Sequence, residues 1–108
     1  MKKSSQVLIV THVPVEFLKR VQQAIWEAGA GKQGNYKNCS FIMKGTGFFT
    51  PTAWAKPAIW EVGKVEKVEE YHLECTCEKN MVEQVITALK KAHPYEEVPI
   101  QIFEYFEV

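Results

Sequence analysis

Apolar residues recur along this chain with two periods, and the switches between them mark its elements. Residues 6–11, QVLIVT, are a β-branched run bounded by polar positions and predict a strand. Pro14 suits the first turn of a helix, with Glu16 favourable near its positive end. Leu18, Val21, Ile25 and Ala28 then follow the spacing of one helical face, and Gly29 ends it. Residues 38–44 predict a second strand. A third lies within Val65–Glu78, with Tyr71, Leu73, Cys75 and Cys77 on one face and His72, Glu74 and Thr76 on the other. Asn80 and Glu83 have the spacing of a helix cap and its reciprocal partner, and Val82, Val85, Ile86 and Leu89 supply the apolar stripe that follows. The residue before a proline is pushed out of helical geometry, so His93-Pro94 stops this helix near Ala92. Val98–Phe106 predict the last strand.

The order βαββαβ predicts a ferredoxin-like α+β sandwich. Its four-stranded antiparallel sheet has the order 4-1-3-2, with both helices on one face. The second face of such a sheet should be polar. VLIV is apolar on both faces, and Val98, Ile100 and Ile102 alternate with Phe103 and Tyr105. Something must cover that surface, and packing of several copies through their sheets is the expectation.

Composition narrows the classes. The chain has 108 residues, enough for one core in a single domain spanning 1–108. Its 13 basic residues balance 13 acidic ones, which argues against a nucleic-acid binder. Every acid is Glu, so Asp-containing calcium loops and catalytic sets are excluded. The three cysteines have no disulfide-framework spacing, and Cys75-Thr-Cys77 is not a C-x-x-C pair. No apolar run has the length of a signal peptide or of the roughly 20-residue membrane span. Free thiols, a reducing cytoplasm and no membrane association are therefore expected.

Three blocks carry a family resemblance: GKQGNYKNCSFIMKGTGFFTP (31–51), AKPAIWEVGKVEKVEE (55–70) and KKAHPYEEVP (90–99). Together and in this order they resemble the small inserted domain of YqfO-type proteins in the Nif-three-like family. The resemblance implies a fold like that of CutA and the PII signalling proteins, a homotrimer, and a stand-alone counterpart of the insert. It implies no transfer of the dinuclear metal centre or the cyclohydrolase-type activity, which belong to the domain flanking the insert. Small residues in the family stand near the positions of Trp54 and Trp60, so the loop surface differs here.

Several stretches are candidates for chemistry. GAGKQG (29–34) matches G-x-G-x-x-G, but it follows a helix and leads into a strand, so it reads as a turn rather than a phosphate cradle. Cys39, in alternation with Phe41 and Met43, reads as a buried, inert thiol. The connection Lys44–Lys64 holds three glycines, two prolines and four large aromatics, and a long irregular loop of this kind is a candidate ligand surface. Lys44, Lys56 and Lys64 suit phosphate, with Gly45, Gly47, Phe49, Tyr95 and Glu96 as further ligand-binding candidates; packing between subunits is the competing reading. His72 and Glu74 read as a solvated or interface pair.

HPYEE (93–97) poses the sharpest alternative. The topology brings the end of the first strand beside the start of the fourth, so His12, His93 and Glu97 or Glu96 can converge as a divalent-metal or acid–base site. The preferred reading is a structural turn whose histidine caps the helix. No nucleophile with its base and orienting group is recognisable, so the chain reads as an oligomeric binding or regulatory module rather than an enzyme. A small metal-dependent hydrolase is the alternative, and a scaffold for a separately encoded partner is a third possibility.

Overall fold

In the computed structural model, which describes residues 1–55 and 60–108, the first strand outruns its β-branched centre. Strand β1 covers Lys2–Pro14, so Pro14 closes a strand instead of opening a helix. A 3-10 turn, Val15–Phe17, leads into helix α1, Leu18–Glu27. Strand β2 is Phe41–Phe49 and strand β3 is Glu66–Glu78. A second 3-10 turn, Lys79–Met81, precedes helix α2, Val82–Ala92, and strand β4 is Ile100–Glu107. The sheet order β2-β3-β1-β4, with every neighbouring pair antiparallel, is the expected ferredoxin-like arrangement.

One face of the sheet carries the core. Val7, Ile9 and Val13 of β1 and Leu73, Cys75 and Cys77 of β3 pack with Val21 and Ile25 of α1 and Val85 and Leu89 of α2. Alternation assigns these faces, and burying each large aliphatic side chain contributes about 1.5–3 kcal/mol. Among the described residues no helix is long and apolar enough to cross a membrane.

The structure corrects three further local expectations. The N-cap of α2 is Met81, and no side chain bonds there, so Asn80 is not the cap; the chain enters through a 3-10 turn that satisfies the backbone locally. Cys39 lies before β2 rather than within it and is partly exposed. Its backbone is held by the turn, with Cys39 N–H donating to Gly31 O at 2.9 Å. A Cβ on Gly31, whose φ is +85°, would meet the Cys39 carbonyl at 2.9 Å, so a tight backbone crossing explains the glycine here. The largest correction is β2 itself, which continues through Lys44-Gly45-Thr46-Gly47 to Phe49 where a loop was expected.

That extension creates a two-stranded arm. Strand β1 ends opposite Glu70, at the Pro14–Glu70 pair, while β2 and β3 stay paired out to Phe49–Glu66. The remaining connection is held by Gly63 N–H donating to Pro51 O at 2.7 Å. Lys56, named above as a phosphate candidate, lies outside the described residues.

Candidate functional site

Pro94 holds His93 in an extended conformation, φ −79° and ψ 140°, which ends α2 and turns the imidazole toward the end of β1. There His93 Nε2 donates to the backbone carbonyl of His12 at 2.7 Å, and the Tyr95 N–H donates to His93 Nδ1 at 3.1 Å. These two bonds select the tautomer protonated at Nε2 and occupy both nitrogens. Burial pushes the His93 pKa below its ordinary value, outweighing the opposing effects of the His12 carbonyl and Glu70. His93 is thus a neutral latch between α2 and β1.

The expected His12, His93 and Glu97 set is not brought together. His93 reaches the backbone of His12, whereas the His12 side chain pairs with His72, opposite it in the β1–β3 register and on the face away from the helices. Glu96 and Glu97 are exposed in the bend after α2. Among the described residues no three His, Cys, Asp or Glu side chains converge to hold a metal.

Tyr95 and Phe49 do meet, but as parts of an aromatic cluster. Phe49 and Trp60 stack edge to face with centroids 4.5 Å apart, and Trp60 lies 5.3 Å from Tyr95. The Tyr95 ring also packs 4.8 Å from that of His93. Its hydroxyl donates to Glu70 Oε2 at 2.6 Å, and burial followed by the Glu70 carboxylate raises the phenol pKa. The other oxygen of Glu70 lies against the backbone of Gly47, in space that a Cβ would fill.

Beside this cluster, between the arm and the end of β1, is an open cleft of about 360 Å³. Lys44, Gly45 and Gly47, three of the expected ligand residues, line it together with His12, Glu70 and His72. Lys64 is not among its walls. Along one side runs a hydrogen-bonded chain: His72 Nε2 donates to Glu74 Oε2 at 2.8 Å, which leaves Nδ1 as an acceptor for His12 Nε2 at 3.0 Å. Glu70, His72 and Glu74 reach the open face as alternate residues of β3, while Tyr71, Leu73 and Cys75 between them face the helices. The expected His72–Glu74 pair is present, and His12 extends it. Alternation alone gives the pair; adding His12 needs the cross-strand register, in which His12 stands opposite His72.

The open face also exposes large apolar side chains. Phe41 and Met43 of β2 and Phe103 of β4 are 59%, 49% and 48% exposed. Register places them with Glu74, His72 and Leu8, away from the helices. This is the second apolar surface anticipated from VLIV and from the last strand.

No protein-family model matches the chain. The GTP cyclohydrolase 1 type 2 homolog of Bacillus subtilis is 43% identical over 95 residues, covering 88% of the chain and 26% of the relative. The chain thus spans about a quarter of the length of the curated relatives it matches. The crystal structure of a Bacillus cereus protein related to NIF3 superposes with a TM-score of 0.81 at 35% identity, over 98% of the chain and 26% of that protein. CutA1 from Shewanella sp. SIB1 superposes with a TM-score of 0.70 over 98% of the chain and 86% of its own length, and at 18% identity it shows the fold alone. The chain is therefore similar to one segment of longer NIF3-related proteins, and it is folded as CutA is folded.

Proposed function

We propose that the chain is a non-catalytic binding or regulatory module that works as a homo-oligomer, a trimer, with the cleft beside His12 and His72 as its ligand surface. The observation that carries this reading is the open sheet face, where Phe41, Met43 and Phe103 are exposed beside the cleft. An apolar surface of this kind marks an interaction site, and the balanced charge of the chain, 13 against 13, lets two copies approach without net repulsion. In this reading the cyclohydrolase activity in the relatives' name resides in the part of those proteins that the chain does not span. A cytoplasmic setting fits the three free cysteines, two of them buried.

The test is the mass in solution, by light scattering on a sizing column, of the wild type and of Phe103→Glu. A mass three times the 12.4 kDa of one chain is expected, falling toward one chain in the variant. A wild type that stays monomeric at high concentration overturns the reading.

A further inference from the structure

The nitrogens along the cleft have a geometry with a specific chemical use. His72 donates its Nε2 proton to Glu74, so its Nδ1 lone pair is aimed at His12. This is the outer-sphere arrangement of a metal-ligating histidine, in which a carboxylate fixes the tautomer and raises the basicity of the opposite nitrogen. His12 Nε2 stands 3.0 Å away, the ring planes are inclined by 51°, and both side chains are half-buried on the rigid inner strands of the sheet. In the metal-free chain His12 supplies a proton to the gap. With its proton on Nδ1 instead, His12 turns a second lone pair toward the same gap, and a metal ion that accepts both lone pairs relieves their repulsion.

We propose that His12 Nε2 and His72 Nδ1 form a two-imidazole site for a divalent transition metal of tetragonal preference, Cu(II) or Ni(II), with Glu74 as the positioning carboxylate and solvent in the remaining places. The ligand type suits that preference, because imidazole nitrogens serve copper and nickel, and the separation is compatible with it. Two nitrogens 3.0 Å apart, each about 2.0–2.1 Å from a metal, subtend roughly 95°. That angle suits adjacent corners of a square-planar or tetragonal site; a tetrahedral angle would need about 3.3 Å between the nitrogens. The chain contributes two ligands, consistent with the lack of any three-residue cluster among the described residues, and the positions left open face the cleft. His93 takes no part, because both its nitrogens are already engaged.

The site deepens the proposed binding role and rests on the cleft, but its failure is separable from that of the oligomer: metal titration reads one and solution mass the other. The test titrates metal-stripped protein with Ni(II) or Cu(II) alone, in a Cys39→Ser background that removes the partly exposed thiol. One equivalent per chain is expected, bound more tightly than Zn(II), with two nitrogens in the Cu(II) electron paramagnetic resonance spectrum. His12→Gln and His72→Gln should each weaken binding at least tenfold, and Glu74→Gln by about 10- to 100-fold. His93→Gln should leave it unchanged. Binding that survives both His12→Gln and His72→Gln overturns the assignment, as does a wild-type spectrum without two nitrogen ligands; the spectrum decides the question even if a variant fails to fold.

Discussion

The Tyr95 hydroxyl donates to Glu70 Oε2 at 2.6 Å, joining the turn after α2 to the base of the β2–β3 arm. A two-stranded ribbon is only marginally stable by itself, so this bond and the ring contacts beside it hold the arm in place. Tyr95→Phe keeps the rings and removes the bond. It should cost about 1–2 kcal/mol in urea unfolding, and should speed amide exchange in residues 46–49 more than in β1.

Gly45 and Gly47 look alike in sequence and should respond oppositely to alanine. Nothing lies within 4 Å of a Cβ built on Gly45, and neither glycine has a positive φ. Gly45→Ala should therefore be neutral or stabilise by up to about 1 kcal/mol, through a less flexible unfolded chain. A Cβ on Gly47 displaces the Glu70 carboxylate and with it the Tyr95 bond. The Gly47→Ala loss should equal that of Tyr95→Phe less the gain seen at Gly45, and the double variant should fall well short of the sum of the single losses. Additive losses would show that Gly47 and Tyr95 act independently.

His93 gives the chain an acid limb. Its folded pKa lies below the unfolded value of about 6.5, because burial disfavours the imidazolium. Between those two values the unfolded chain binds more protons than the folded one, so stability is full above about pH 6.5 and falls as pH drops through the window. Urea midpoints for wild type and His93→Gln should converge as pH falls from 7 to 5. A constant gap between them would show that His93 does not titrate on unfolding.

The thiols should separate by reactivity. Burial, followed by the neighbouring cysteines, pushes the Cys75 thiol up to about 12, and burial also raises Cys77. Alkylation needs the thiolate, so at pH 8 in native buffer partly exposed Cys39 should react first, with Cys75 and Cys77 following only on unfolding. Mass spectrometry of digested, pulse-labelled protein reads the order directly.

The sheet order and both helices were legible because each rests on apolar periodicity within a single element, as in Val21 and Ile25 or Leu73, Cys75 and Cys77. The outer half of β2 was not. Lys44-Gly45-Thr46-Gly47 has no apolar alternation, and its strand geometry comes from pairing with Tyr71–Val68 and from the space that Glu70 occupies over Gly47. Lys44, Gly45 and Gly47 are ligand candidates on the irregular look of that stretch, and the structure places them along the cleft. The His12–His93 proximity was legible from topology. The side-chain outcome was not, because it depends on which face each strand residue takes and on the cross-strand register that pairs His12 with His72.

Strand β3 serves two surfaces with one alternation: Glu70, His72 and Glu74 turn to the open face, the first two lining the cleft, while Leu73 and Cys75 between them fill the core. A one-residue insertion anywhere between Glu70 and Cys77 would exchange the two sets beyond it, burying carboxylate and imidazole and exposing the core. Cleft residues can thus be replaced by substitution, but the length of this strand is locked. Relatives that differ in length should carry their extra or missing residues in the connection between β2 and β3, where no such frame has to be kept.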